Sequence, residues 1–585
     1  MKRLAALAFA LIAFFALASC GDSASHRQPF DYGETILQTT LAIEKVMKDN
    51  HIVGLSIALV DGERIVWQQG FGYADKKRNL AATADTVFQV GSNSKPFTAM
   101  AAMQLVEQGK LDLDAPLNAY LPEFSIKNRI PGVDLTQITP RLLLTHHAGL
   151  PYDAQILMSY SFRPEEMYRV PELLSNDWLC FPPNTTYGYS NLGATLMGLV
   201  VERVSGQEFA AYTDANLFAP MGMPMSSFVP KSEMAAYFSK EYDSQGEETP
   251  HVYVNSMPAG SALSSAADMG EFITTLLAEG RNGREQIVSP ASLQEMWTRQ
   301  NGEAQLDFEF EFGLYWILTD PEFDYAGKVV GFAGDTVNQH SRLIILPDQQ
   351  LGVFVATNSA LGVGVARSVA VTALQSAVKE KSGLSPPVPA AQAPLTSLPP
   401  EDLEGYAGLY TGPAGGVVTL VVEGDHLRAN NPLSGLSYTL APLADGSFAL
   451  TGLPGQENHT YTFESVSGWH VLVDRWLGVK LLPFLTKVNP APPRQAWKNR
   501  TGKWIIDISE DFYPYFRSLE LREYDGVMIA VINDSTYYAL DTISDTEAVN
   551  LGLGTYRSDT LRIDREDGTE RIHFDNYTFR KTDPQ

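Results

Sequence analysis

A serine hydroxyl is a poor nucleophile at neutral pH unless a base stands within reach, and a partly desolvated lysine amine can be that base. Ser92 and Lys95 offer such a pair. The apolar run Val87 to Val90 ends at Gly91, Ser92 follows, and Phe97, Met100, Ala101 and Leu105 then fall on one helical face. With Ser92 at the N-terminus of that helix, Lys95 lies one turn on, on the same side. The spacing alone is weak evidence, because Ser376 and Lys379 repeat it inside an ordinary amphipathic pattern. Pro96 cannot donate a helical hydrogen bond and biases Lys95 away from helical angles, so it fits only in the first turn or just past it.

The whole run from Val87 to Ala99, V-F-Q-V-G-S-N-S-K-P-F-T-A, resembles the nucleophile motif of the penicillin-binding-protein and class C β-lactamase-like serine hydrolases. A second stretch, Tyr189-Ser190-Asn191 followed by a helix closed at Gly206, resembles that family's second motif. Tyr253 and Asn255 repeat the bare Y-x-N, so the longer run carries the likeness. Further matches are Leu142 to Pro151, Pro258 to Asp268 and Phe312-Gly313-Leu314. The resemblance covers about residues 33 to 380. It implies that Tyr189 sits beside Ser92 and Lys95 and shares proton transfer, and that Asn191 hydrogen-bonds the substrate's acyl amide. A phenol of ordinary pKa ~10 suits that role only beside a cation such as Lys95.

The third motif departs from the family. K-T-G or H-x-G is expected on a strand lining the site, and Gly331-Phe332-Ala333-Gly334-Asp335 stands there instead. Phe332 replaces the cation and is expected to wall the cleft. Gly334, lacking a Cβ, would let substrate lie against the strand. By analogy the backbone N–H groups of Asp335 and Ser92 form the oxyanion hole. His340 follows, and Arg342 is a substitute cation only if it faces the cleft. Adjacent His146 and His147 read as structural residues; no metal ligand set and no cofactor motif is evident.

These residues need elements to hold them. At 585 residues the chain exceeds one ordinary core. Met1 to Ser19 reads as a signal peptide, with Lys2 and Arg3 before an apolar run too short for a comfortable membrane span. Leu17-Ala18-Ser19-Cys20 resembles a bacterial lipobox, which implies lipidation at Cys20 and a tether over 20–32. A helix is expected over 35–47, and strands over 52–60 and 64–69 around Asp61-Gly62. Strands return at 342–346 and 351–356, and a helix spans 363–378. Strands and a helix from each end thus bracket a helical middle, which predicts an α+β domain over 33–382. Its antiparallel sheet would be flanked by the terminal helices and carry an inserted helical lobe. A proline-rich linker, 383–400, leads to two all-β modules, barrel or sandwich, over 401–488 and 495–585. Neither module shows a catalytic constellation.

The net charge of −25, from 68 acidic and 43 basic residues, excludes nucleic acid as the main partner. If cleavage leaves Cys20 lipidated, Cys180 is the remaining cysteine and no intramolecular disulfide can form. The reading that follows is a serine hydrolase acting through an acyl-enzyme on a small-molecule or peptide substrate, an ester or amide; the resemblance implies an esterase, a D-amino-acid peptidase of the D-alanyl-D-alanine carboxypeptidase kind or a weak β-lactamase. It would be lipid-anchored in the cell envelope, on the periplasmic face of the outer membrane. Two alternatives remain open: a non-catalytic protein that binds cell-wall fragments, for which Phe332 and Pro96 speak, and a scaffold lipoprotein. Oligomeric state is open.

Overall fold

In the computed structural model the described residues are 30–582, except 155–156, 413–415, 432, 454, 457, 508–510, 555–559, 567 and 575–576. The segment expected to be a signal peptide, and Cys20, lie outside them. Among the described residues no helix is long and apolar enough to cross a membrane.

The first domain is a six-stranded antiparallel sheet between two layers of helix. Its strands are β1 (Gly54–Asp61), β2 (Arg64–Asp75), β3 (Leu80–Ala81), β4 (Val330–Asp335), β5 (His340–Leu346) and β6 (Leu351–Thr357), in the order β4-β5-β6-β1-β2-β3. Strand alternation builds both layers. Leu55, Ile57, Leu59, Val353 and Val355 face one way, into a core closed by the terminal helices. Those helices are α1 (Gly33–Asp49) and α5 (Gly362–Ser382). Ala58, Val60, Phe354 and Ala356 face the other way, into the core of the inserted lobe. That lobe holds α2 (Ser94–Glu107), α3 (Asn191–Ser205) and α4 (Ala266–Leu277). The expected hairpin and terminal helices are therefore present; the helices and the second hairpin strand run longer than expected, and the first strand begins two residues later. Ser376 and Lys379 sit on the solvent side of α5.

The two C-terminal modules are closed barrels of eight antiparallel strands each. The first runs from Gly408–Gly412 to Val479–Lys487 and the second from Gly502–Ile506 to Tyr577–Lys581. Closure removes the sheet edges. Leu481 to Leu485, an apolar stretch, lies in the last strand of the first barrel.

The second barrel is sewn onto the first domain. Tyr160 N–H donates to the carbonyl of Asp511 at 2.8 Å, and Tyr513 N–H to that of Met158 at 3.1 Å. A β-bridge joins Ser159 to Phe512, extending the small pairing of Met158–Ser159 with Tyr253–Val254. Ion pairs Lys127–Glu547, Arg129–Asp541 and Arg163–Asp511 flank these bonds.

Candidate active site

Ser92 lies in a single 3₁₀ turn, Gly91–Asn93, immediately before α2. Pro96 is the third residue of α2, inside the first turn, where the missing N–H has no helical partner to lose. The turn is braced on three sides. Val90 N–H donates to the Ala262 carbonyl at 2.8 Å. Ser94 Oγ donates to the Gly91 carbonyl at 2.7 Å and accepts from Ala262 N–H at 2.9 Å. Ser341 on β5 bonds Val90's carbonyl at 2.8 Å and receives Asn93 Nδ2 at 2.7 Å.

Two glycines let β4 lie against this turn. Gly91 has φ +56°, and a Cβ there would stand 2.7 Å from the Asp335 nitrogen. A Cβ on Gly334 would stand 1.8 Å from the Val90 carbonyl. Gly334 is thus required by the chain's own packing. The same contact brings the Asp335 N–H beside the nucleophile turn.

Lys95 is buried to 0% exposure, and its amine is surrounded by oxygen. Nζ is 3.1 Å from Ser92 Oγ, 2.8 Å from Asn191 Oδ1 and 2.8 Å from the Ala259 carbonyl, and it also bonds Tyr189 Oη. Asn191 Oδ1 and the Ala259 carbonyl can only accept, so they take two protons. A neutral amine then has one lone pair left, which accepts from one of the two hydroxyls at a time. Burial holds the lysine well below its ordinary range, against the opposing pull of Asp153, which agrees with that count. Tyr189 Oη bonds both Ser92 Oγ and Lys95, so the three groups form one closed proton path.

Tyr189 owes its position to the start of α3. Ser190 caps that helix, accepting from Gly193 N–H at 2.9 Å, while its own hydroxyl donates to the Pro151 carbonyl at 2.6 Å. Gly206, with φ +73°, ends the helix. His146 lies 4.4 Å from the Tyr189 ring and accepts from Ser190 N–H at Nδ1. Burial above all keeps His146 well below the ordinary range, so it is a neutral support for the phenol. His147 bonds the buried Asp307 at 2.6 Å, and Asp307 also accepts from Thr186 Oγ1 and Tyr187 N–H. Both histidines are therefore struts of the loop that ends at Tyr189.

Asn191 bridges Lys95 to Asp153, its Nδ2 donating to Asp153 Oδ2 at 2.8 Å. Its amide is largely spent inside the protein, leaving at most a second N–H for a substrate. Sequence reasoning passed over Asp153 because nothing in Leu150-Pro151-Tyr152-Asp153 sets it apart from any loop aspartate.

Phe332 does not wall the cleft. It faces the lobe core, is 3% exposed and packs edge-on to Phe312 with ring centroids 6.3 Å apart. An apolar side chain on that strand face gains more from the core than from a wet site. Arg342 points to the opposite face, where it pairs with Asp320, so it supplies no cation either. Burial and the neighbouring Arg367 lower it to about 10.

Ser92 opens into a cavity of about 840 Å³. The first domain contributes Tyr152, Asp153, Asn191 and Asp335 to its lining, and the second barrel supplies much of the facing wall. The aromatic run Phe512 to Phe516 was the available sequence signal for that wall. Among the described residues no cluster of His, Cys, Asp or Glu is placed to hold a metal.

A sequence-family model described as Beta-lactamase matches residues 40–377. The chain belongs to that family. Protein flp of Staphylococcus aureus is 24% identical over 326 residues, 55% of this chain and 62% of the relative. The putative penicillin-binding protein PbpX of Bacillus subtilis is 28% identical over 294 residues, 50% of this chain and 68% of the relative. The match thus spans less than two thirds of the flp protein's length. Among solved structures, SurE superposes over 77% of this chain and all of its own, with TM-score 0.57 and 22% identity. An octameric penicillin-binding protein homologue from Pyrococcus abyssi does so over the same share, with TM-score 0.53 and 23% identity. These two likenesses establish a shared fold.

Proposed function

We propose that the protein is a serine hydrolase that works through an acyl-enzyme on esters or amides. The observation that carries this reading is the buried Lys95 amine 3.1 Å from Ser92 Oγ, with Tyr189 Oη bonded to both. Ser92 Oγ adds to the substrate carbonyl carbon while its proton passes to the Tyr189–Lys95 pair. Charge on the carbonyl oxygen is met by the N–H groups of Ser92 and Asp335. The carbonyl re-forms, the bond to the leaving oxygen or nitrogen breaks, and the pair returns the proton to that atom. Water then adds to the acyl-enzyme, gives its proton to the same pair, and releases the carboxylic acid and a reprotonated Ser92.

Phe332 and Pro96 were the features that favoured a non-catalytic binding protein. With Phe332 in the core and Pro96 in a permissive first turn, neither supports it. The substrate class is uncharged near the scissile bond, because Asp153 and Asp335 line the cavity beside Ser92. A substrate carboxylate there would be desolvated against like charge. Anchorage in the cell envelope through a lipidated Cys20 belongs to the same proposal and rests on the N-terminal sequence.

The test is labelling with a fluorophosphonate and mass mapping of the adduct. Label is expected on Ser92 and is lost in Ser92→Ala. In turnover assays a neutral ester should exceed a cephalosporin in kcat/KM. Label that persists in Ser92→Ala would sink the assignment, and ordinary cephalosporin turnover would sink the charge argument.

A further inference from the structure

We propose that the mouth of the second barrel is the specificity pocket of this site, and that it takes an uncharged apolar group of the substrate, as large as an aromatic side chain or larger. The proposal rests on the acyl-enzyme reading. The cavity that begins at Ser92 ends on the barrel: Tyr515, Phe516, Ile532, Tyr538 and Tyr577 line it. These residues gather at one end of the barrel. Ser518 begins a strand there, Ile532 ends the next, and Thr536 and Tyr577 begin two more. Ile532, Tyr538 and Tyr577 belong to the barrel's own buried core. The far wall of the cavity is therefore the end of that core, an apolar surface already built by folding.

Phe516 stops the mouth, its ring 4.8 Å from Tyr577 and 5.6 Å from Phe574. Tyr515 lies beside it, 5.3 Å between ring centroids, and stays 55% exposed. A single exposed aromatic needs no explanation by itself. One that lines a cavity shared with a nucleophile, next to a floor of packed aromatic rings, is a contact surface for what the nucleophile attacks. The wall is also held in place. The bonds of Asp511 and Tyr513 to Tyr160 and Met158 clamp the segment just before Tyr515. The pocket is thus pre-organised, and a ligand group gains its burial without ordering a loop. A cavity of about 840 Å³ is far larger than an acetyl group needs. Carboxylates of Asp153, Asp335 and Asp534 face it against one guanidinium, Arg517, so an anionic group is poorly matched.

Two fluorophosphonates that differ only in the chain on phosphorus, ethyl or phenylpropyl, test this on the full-length protein. The readout is the second-order rate constant for loss of free Ser92. The wild type should favour the phenylpropyl reagent by about tenfold, the value of roughly one well-buried ring. Tyr515→Ala should cut that preference at least fivefold, and Tyr515→Phe, which keeps the ring, should restore it. No preference in the wild type, or the same preference in Tyr515→Ala, overturns the pocket and leaves the hydrolase reading standing. No labelling of Ser92 by either reagent overturns the hydrolase reading, and the pocket with it.

Discussion

Lys95 is the residue on which the chemistry turns, and its burial makes two opposite demands. A lysine without exposure is costly as a cation, so the fold favours the neutral amine that a base must be. The activity should therefore fall as pH drops through the lowered lysine pKa, because the base is then protonated. Stability moves in the same direction. Between the folded and unfolded lysine pKa values the unfolded chain binds the extra proton, so stability rises with pH across that window. Lys95→Met removes the ionisable group while filling the same space. The variant is expected to lose turnover by at least about a thousandfold, as when a nucleophile loses its base, with Tm lowered by the two acceptors, Asn191 Oδ1 and the Ala259 carbonyl, that it leaves unpaired. Its stability should also lack the wild type's pH slope. An unchanged slope would show that the lysine is held as a cation.

At the level of elements, the site depends on how closely β4 approaches the turn before α2. Gly334 is the point of closest approach, 1.8 Å for an added Cβ against the Val90 carbonyl, and that neighbour is backbone that cannot rotate away. Gly334→Ala must push β4 off the nucleophile turn and carry the Asp335 N–H with it. The expected result is a loss of kcat of about a hundredfold, the scale of one oxyanion donor, with the far-UV spectrum retained. A variant with near-normal kcat would mean that the Asp335 N–H takes no part. This contact also marks the limit of what could be read beforehand. The hairpin at Asp61-Gly62, the two terminal helices and the helix after Ser92 were legible because each has its own periodicity or turn signal. The need for glycine at 334 was legible too, but its cause was not. What crowds a Cβ there is a carbonyl more than 240 positions away in the chain. Phe332 was misplaced for a related reason: a motif position names a strand, not the face that a side chain takes once the strand is packed. The C-terminal modules were legible as all-β but not as barrels, since period-two patterns show strands but not that a sheet closes on itself.

For the whole molecule, the question is what keeps the second barrel over the cavity at Ser92. The interface joins an apolar cluster, in which Leu553 packs with Phe181 and Leu306, to a polar seam of two backbone bonds, one β-bridge and three ion pairs. Arg163 is the centre of it. Its guanidinium pairs with Asp511 and lies 5.3 Å from the Phe512 ring centroid, next to the bonds of Tyr160 and Tyr513. The pair is about one-third exposed on each side, so it contributes on the order of 1 kcal/mol or less. The contact should therefore loosen in steps rather than fail at once. Arg163→Ala is expected to speed amide hydrogen exchange at Tyr160 and Tyr513 by about fivefold, while amides inside β1 and β6 keep their protection. Raising salt from 0.05 to about 0.5 M should do part of the same to the wild type, because the pairs are screened. Exchange at Tyr160 and Tyr513 that ignores both salt and the substitution would mean that shape alone docks the barrel. The cavity wall would then be as fixed as the sheet itself.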